Sequence, residues 1–311
     1  MRILTFNWHE PYICLLAATG HHFDVAPPLE YPERTWDLRS RPIPSNVSEV
    51  AYPETADAYD LVVCLTLQDV RAVHSWHVPR LYVMLNMIGT DAAVEGVEKD
   101  AFVEGLRPLF DDVSIAFISE KKRQAWGWPA PVVVSGIDPD DYGPYWGRVN
   151  KVLRVGNGLV ERDHMQGYGI QERILDGMPS TVVGLNPTIP GARPASDWHE
   201  LRSMYSTHRV MLSTLTDEHE DGYNLAVLEA MASGAPVVCL ANSSTPIIDG
   251  VNGYVSDDLQ YLRRRLLQLL EDQGQAAELG ARGRETVRSH FHIDTCVAGW
   301  RRVFADCIGG P

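Results

Sequence analysis

One segment of the sequence combines residue types and spacings that suit ligand chemistry. Residues 221 to 255 read DGYNLAVLEAMASGAPVVCLANSSTPIIDGVNGYV. The stretch LAVLEAMA within it is apolar except for Glu229, which predicts a buried helix that begins near Gly222 and ends at Gly234. An ionised carboxylate inside such a helix is costly unless partners satisfy it. Glu229 therefore needs either a ligand or a structural partner.

The start of this helix predicts an anion site. The amides of Tyr223, Asn224 and Leu225 are free at a helix N-terminus, where the helix dipole also favours negative charge. Glu229 lies on the same face as Leu225 and ~6 Å further along the axis. This is about the span from a nucleotide's diphosphate to its ribose hydroxyls, which carboxylates commonly bind. The alternative is that Glu229 pairs with an Arg or with backbone amides and only supports the fold.

The elements that must position this segment alternate between short apolar runs and helix-like stretches. This alternation is typical of parallel sheets joined by crossover helices. The irregular residues 138–151, rich in Asp, Pro, Gly and aromatic side chains, predict a boundary between domains at 1–145 and 146–311. Each domain is expected to be a Rossmann-like, doubly wound sheet, with ligands at the carboxyl ends of the strands in a cleft between the domains. The chain from about Asp258 to Ala305 is predicted to be helical throughout.

Composition narrows the classes of partner. The net charge of -14, from 41 acidic and 27 basic residues, disfavours a nucleic-acid backbone or an anionic membrane as the main partner. The five cysteines have no CxxC spacing, so we expect neither a zinc site nor a disulfide framework. The opening MRILTFNWHEPY is interpreted as a first strand and not as a signal peptide, and no apolar run approaches the ~20 residues of a membrane span. A cytoplasmic protein is expected.

A family resemblance rests on the same segment. An acidic residue at 221, seven residues and then Glu229, followed by AMASGAPVV and TPIIDGVNGYV, resembles the signature of retaining glycosyltransferases of family four, the glycosyl transferases group 1. The resemblance implies a GT-B fold, two Rossmann-like domains whose last helix, about 292–307, packs back on the first domain. In that family Glu229 would hold the ribose, the amides at 223–225 the distal phosphate, and Asp221 would face the sugar.

The activity that the resemblance implies is transfer of a sugar, with retention and without a metal, from a nucleoside diphosphate sugar to an acceptor hydroxyl. A UDP-sugar is the favoured donor, no separate cofactor is needed, and the acceptor would bind the first domain. Two alternatives stay open. One is a sugar-nucleotide epimerase of the same fold, and the other is a nucleotide-sugar-binding protein with impaired catalysis.

Several positions depart from the family pattern. One departure lies in the segment VGNGLVERDHMQG at the end of a predicted strand. Where the family has an Arg, directly after Gly156, this chain has Asn157, and where the family has a Lys it has Gln166. Arg162 in the same loop is the first candidate to supply the missing charge to the diphosphate, because guanidinium binds phosphates in a bidentate way. Arg193 is the second, and for either Arg the alternative is a surface ion pair.

The catalytic end departs as well. Asp221 stands where Glu is usual, beside Glu220, and Asn86 stands where the family has a His that contacts the sugar. An Asn hydrogen-bonds a sugar hydroxyl but cannot accept a proton at neutral pH. His9 and Glu10, after the first strand, are the nearest other polar pair, predicted to contact the acceptor or, alternatively, to cap and pack a helix.

Overall fold

A computed structural model describes residues 1–309, and residues 310 and 311 of the predicted second domain lie outside the described residues. The chain divides into two compact units. The first consists of Met1–Gly136 together with the chain from Ile293 onward, and the second is Ile137–His292. Each unit has a parallel β-sheet of its own with helices packed against it, as the strand and helix alternation predicts.

The first unit has a six-stranded parallel sheet in the order β3-β2-β1-β4-β5-β6. Its strands are β1 Arg2–Phe6, β2 His22–Ala26, β3 Val47–Glu49, β4 Leu61–Cys64, β5 Arg80–Met84 and β6 Ser114–Phe117. Its helices are α1 Glu10–Ala17, α2 Leu67–Ala72, α3 Ile88–Glu95, α4 Lys99–Leu106, α5 Glu120–Trp126 and, from the end of the chain, α12 Ile293–Gly309. Strands β4 and β5 are buried along their whole length, which explains why their residues are apolar apart from Arg80.

The second unit has a five-stranded parallel sheet in the order β11-β10-β9-β7-β8. Its strands are β7 Val149–Val155, β8 Ser180–Val183, β9 His208–Ser213, β10 Val237–Leu240 and β11 Tyr254–Ser256. Its helices are α6 Asp163–Gln166, α7 Tyr168–Leu175, α8 Trp198–Thr207, α9 Leu225–Ala232, α10 Leu259–Glu271 and α11 Gln273–His290. The stretch from Asp258 onward, which the sequence predicts to be helical, consists of α10, α11 and α12.

The boundary of the second unit differs from the predicted one by nine residues, since residues 137–145 belong to it and not to the first domain. The reason is burial. Ile137 and Tyr142 are part of the core around α9, and the Tyr145 hydroxyl donates to the carbonyl of Arg209 at 2.6 Å. This segment, although rich in Pro, Gly and Asp, is therefore packed against the second unit and is not a linker.

The last helix belongs to the first unit. Trp300 and Phe304 of α12 are fully buried, and their rings contact Tyr12 and Phe23 at centroid distances of 6.3 Å each. Helix α12 is therefore part of the core of the first unit. In the part of the chain that the structure describes, no helix is both long enough and apolar enough to cross a bilayer.

Candidate active site

Strand order locates the crevice of the second unit. In chain order its strands are arranged 2-1-3-4-5, so the connections leave β7 and β9 in opposite directions. Open parallel sheets bind ligands at such a point, outside the carboxyl ends of the strands. The loops after β7 and β9 therefore flank the candidate site, and they contain Gly156 to Gln166 and Thr214 to Asn224.

Helix α9 begins with backbone amides that have no acceptor among the described residues. It starts at Leu225 rather than near Gly222, because the Asn224 side chain caps it by accepting from the Val227 amide at 3.0 Å. We call one group of backbone amides the open amides: Tyr223, Asn224, Leu225 and Ala226. No residue among 1–309 accepts a hydrogen bond from any of them. A helix N-terminus in this state is suited to bind an anion.

Two carboxylates accompany the open amides. Glu229 is 2% exposed in the middle of α9, and Asp221 is 1% exposed just before its cap. The Asp221 amide donates to the side chain of Glu220 at 2.8 Å. Acidic side chains at this depth are rare unless bonded to other groups. A polar ligand with hydroxyl donors would fit them.

The loop after β10 holds the loop after β9 in place. We call residues 242–245 the serine loop. The Asn242 side chain donates to the carbonyl of Glu220 at 3.0 Å, and both the amide and the hydroxyl of Ser243 donate to Asp217, at 2.6 and 2.7 Å. These residues were not predicted from the sequence, although a run of small polar residues directly after a strand is the signal that marks them.

Gly222 is required by close packing against the same serine loop. Its amide donates to the Ser244 hydroxyl at 2.8 Å, and a Cβ at this position would lie 2.5 Å from the Thr245 nitrogen. Any side chain would therefore push the two loops apart. Gly222 contributes to the site by this fit, while its own amide is already bonded.

The loop after β7 is bonded mainly to its neighbours. The Asn157 side-chain oxygen accepts from the Leu185 amide at 2.8 Å, and the Gly156 carbonyl accepts from Asn186 at 2.7 Å. Arg162 is exposed, and its guanidinium donates to the Asn157 carbonyl at 2.5 Å. Asn157 thus holds the loop after β8 in place. Arg162 is an exposed cation in the loop after β7.

The other candidate positions of the second unit are engaged elsewhere. Gln166 is buried in α6, where its carbonyl accepts from the Thr214 hydroxyl at 2.6 Å. Arg193 forms a bidentate ion pair with Glu200, with N–O distances of 2.6 and 3.0 Å. The hydrogen bonds from Arg193 lower the pKa of Glu200 to about 2. The surface ion pair considered for Arg193 is therefore what the structure contains.

In the first unit, His9 and Glu10 have structural contacts. The His9 ring accepts from the Tyr12 amide at 3.1 Å as the N-cap of α1. Glu10 is buried, and its carboxylate accepts from the Asp37 amide at 3.4 Å and lies 3.5 Å from the guanidinium of Arg34. These contacts favour the capping and packing interpretation of the pair.

Asn86 lies directly beyond β5, at the carboxyl edge of the first sheet. It is half-buried, and its side-chain nitrogen donates to Asp91 at 2.8 Å. Burial raises the pKa of Asp91 to about 6, against the opposing effect of the Asn86 hydrogen bond. Asp91 was not predicted from the sequence, because nothing in a sequence marks a helical Asp as the partner of a residue five positions earlier.

Comparison with known proteins finds one family match and several similar folds. Residues 173–272 match the family of glycosyl transferases group 1. The Anabaena protein Alr3699/HepE, in a crystal structure with UDP-glucose, superposes with a TM-score of 0.72 at 14% identity, over 97% of this chain and 98% of that one. The fold is GT-B.

Two curated relatives align with parts of this GT-B chain. A poly(ribitol-phosphate) alpha-N-acetylglucosaminyltransferase of Staphylococcus aureus is 23% identical over 170 residues, which are 50% of this chain and 32% of that protein. A trehalose synthase of Pyrococcus horikoshii is 33% identical over 75 residues, 24% of this chain and 18% of the relative. The chain thus spans a third or less of the length of either relative.

The family match covers some of the candidate residues and not others. Asp221, the open amides, Glu229 and the serine loop all lie within residues 173–272. The loop after β7 with Arg162, and Asn86 in the first unit, lie outside it. Within residues 1–309, no cluster of three or more His, Cys, Asp or Glu side chains is arranged to hold a metal ion.

Proposed function

We propose that this chain is a glycosyltransferase that moves a sugar from a nucleoside diphosphate sugar, with UDP as the favoured nucleotide, to an acceptor hydroxyl with retention and without a metal ion. One observation carries the proposal. The open amides at the start of α9 and the buried Glu229 in the same helix provide an anion site and a hydroxyl acceptor ~6 Å apart along one face.

The phosphate contacts follow from the open amides. Four unbonded N–H groups at the positive end of a helix dipole bind the distal phosphate of the donor, and Arg162 adds a positive charge. When the sugar leaves, negative charge grows on the diphosphate. Fixed donors stabilise such charge without reorganisation, and enzymes commonly owe more of their rate enhancement to this effect than to any other.

The hydroxyl contacts are assigned to the carboxylates. Glu229 accepts two ribose hydroxyls, each a charge-assisted hydrogen bond. Asp221, which is buried next to the cap of α9, faces the donor sugar, and Asn86 contacts a sugar hydroxyl. His9 and Glu10 have no part in this assignment, since their side chains already cap α1 and bind the segment at 34–37.

The test is calorimetry with UDP, uridine monophosphate and uridine, followed by incubation with UDP-glucose. We expect UDP to bind more tightly than uridine, since the open amides recognise the distal phosphate. Release of the sugar from UDP-glucose to water or to added alcohols, followed by proton NMR at the anomeric carbon, reports transfer and its stereochemistry.

Each other outcome contradicts a part of the proposal. Conversion of the sugar nucleotide without loss of its sugar would identify an epimerase. Binding without any turnover would identify a non-catalytic nucleotide-sugar-binding protein. Absence of binding for the diphosphates of uridine, guanosine, adenosine, cytidine and thymidine alike would overturn the site itself.

A further inference from the structure

The end of β1 holds a buried side chain whose polar atoms are unsatisfied. Asn7 follows β1 directly and is 2% exposed, and its side-chain oxygen and nitrogen are both buried with no hydrogen-bond partner among residues 1–309. Nearly all buried polar groups in proteins are bonded, because an unbonded group has lost its water without gaining another partner. Asn7 therefore lacks a partner that offers both a donor and an acceptor.

Strand order places Asn7 at the crevice of the first sheet. In the order β3-β2-β1-β4-β5-β6 the connections reverse between β1 and β4, and open parallel sheets bind ligands outside the carboxyl ends of the strands at such a point. The Trp8 amide donates to the Phe6 carbonyl at 2.8 Å, so the chain turns here with Asn7 at the centre. Because no described residue bonds the Asn7 side chain, turning it toward the crevice breaks no hydrogen bond.

An aromatic surface adjoins Asn7 in the same crevice. The Trp8 ring is half-buried, and its indole nitrogen donates at 2.7 Å to the buried carboxylate of Asp69 in α2. This bond ties the loop after β1 to the helix that follows β4, and it fixes the ring. The ring of Tyr31, which is 56% exposed, meets the Trp8 ring edge to face at a centroid distance of 5.7 Å. The two rings form a surface that is held in place and partly open to solvent.

We propose that the first unit binds a carbohydrate here, with sugar hydroxyls on the Asn7 amide and one face of the sugar ring against the aromatic surface of Trp8 and Tyr31. The inference rests on the proposed function, which requires an acceptor hydroxyl, and it assigns the chemical class of that acceptor. The acceptor is a saccharide, and Asn7 and Trp8 are residues that determine its specificity.

The chemistry of the two parts selects a sugar. A hydroxyl is a donor and an acceptor at once, and the Asn7 amide complements it with two N–H groups and one oxygen. The C–H groups on one face of a sugar ring pack against the negative face of an aromatic ring. The guanidinium of Arg34, which donates to the Trp8 carbonyl, is balanced by Glu10 at 3.5 Å, so the neighbouring charge does not select an anion. A nucleobase also stacks on aromatic rings, but it lacks the hydroxyl that the reaction consumes.

An NMR titration of the full chain tests the proposal without any nucleotide. The probes are the methyl glycosides of glucose, galactose, mannose and N-acetylglucosamine. At least one of them should shift the side-chain amide signals of Asn7 and the indole signal of Trp8, which are assigned by their loss in Asn7→Leu and Trp8→Phe. The indole of Trp76, a half-buried ring before the amino end of β5, should not shift. Constant Asn7 and Trp8 signals with every probe, or larger shifts with adenosine or uridine, would overturn the inference.

Two variants separate ligand binding from a structural role. Asn7→Leu has a similar volume and removes the unsatisfied groups, so its melting temperature should stay or rise while the sugar binds about tenfold more weakly. Trp8→Ala should weaken the sugar by a similar factor, and Trp76→Ala is the matched control with unchanged affinity. A lower melting temperature in Asn7→Leu, or a sugar affinity that survives in it, would show that Asn7 serves the fold.

Failure of the proposed function has a different signature. If UDP does not bind, the donor site is wrong, while the Asn7 and Trp8 signals still report whether the first unit binds a sugar. If UDP binds and no sugar shifts these signals, the donor site stands and the acceptor is not a saccharide. The sugar that shifts them should also become glycosylated when UDP-glucose is added. A bound sugar that stays unmodified while UDP-glucose is consumed would overturn its assignment as the acceptor.

Discussion

Helices α1 and α9 each follow one of the two strands that flank the point where the connections of their sheet reverse, yet their first turns are opposite in character. Helix α1 has Glu10 at its first position, Pro11 without an N–H at its second, and His9 bonded to the Tyr12 amide. Helix α9 has no acidic residue in its first turn and has unbonded amides. Only α9 is suited to an anion, although the fold offers both helix ends.

The largest effect should come from removing the carboxylate of α9. Glu229→Ala is expected to weaken UDP binding by the worth of two charge-assisted hydrogen bonds, about 2 to 4 kcal/mol, because the ribose hydroxyls lose their acceptor. Calorimetry measures this, with thermal unfolding to confirm that the variant is folded. The matched control is Glu10→Ala in α1, which should leave UDP affinity as it is. Unchanged affinity in a folded Glu229→Ala would remove the ribose assignment.

Stability should respond to pH through the first unit, where burial raises the pKa of both Asp91 and Asp69 to about 6. Between pH 4 and 6 the folded chain then binds protons that the unfolded chain has released, so the free energy of unfolding falls as the pH rises through this window. Above pH 6, the ionisation of each of these buried carboxyls lowers the free energy of unfolding by up to about 3 kcal/mol.

Asp91→Asn removes one of these two costs. The change in melting temperature that it causes should be more favourable at pH 7.5 than at pH 5, measured on the transition of the first unit by thermal unfolding at both pH values. The same shift at both would contradict the raised pKa. The substitution also compares the two units directly, because we propose that UDP binds the second unit, so UDP affinity should stay constant.

A charge placed at each helix start tests the contrast between α1 and α9. Asn224→Asp keeps the cap, since Asp and Asn are equally good N-caps, so stability should change by less than about 0.5 kcal/mol. The added negative charge beside the open amides should weaken UDP about tenfold, roughly 1.4 kcal/mol. His9→Asp makes the same change in α1 and should have no effect on UDP. Wild-type affinity in Asn224→Asp would mean that the open amides do not meet the diphosphate.

The smallest expected effect belongs to the exposed Arg162. Arg162→Ala should reduce UDP affinity by about 0.5 to 1 kcal/mol, less at high salt, and leave uridine unchanged. Arg193→Ala is the control, because Arg193 is already paired with Glu200 and should not affect either ligand. Calorimetry at two salt concentrations distinguishes these cases, and equal losses for UDP and uridine would place Arg162 away from the phosphate.

The sequence predicts the local features of this molecule well. The apolar run with one carboxylate gives α9 and singles out Glu229, because helical periodicity and burial are properties of a short stretch. Two parallel-sheet units follow from the alternation of strands and helices, and the GT-B fold is confirmed. The start of α9 was misplaced, since a cap at Asn224 depends on a single side-chain hydrogen bond.

The missed features depend on contacts between distant residues. The bonds from Asn242 to Glu220 and from Gly222 to Ser244 span 22 positions each, and no local pattern encodes them. The same holds for Tyr145, whose hydroxyl bonds a carbonyl 64 residues away and helps to move the unit boundary. Tertiary packing decides such positions, and propensity does not.

The course of the chain through the two units sets an order for their synthesis. The second unit is one continuous segment, Ile137–His292, whereas the first takes its last helix from beyond Ile293. A ribosome therefore releases every residue of the second unit before Trp300 and Phe304, the fully buried rings of the first, have emerged. Multidomain chains usually fold their N-terminal part first. In this protein the part that begins first can complete its core only last, and until then the apolar surface that α12 will cover stays uncovered by its own chain.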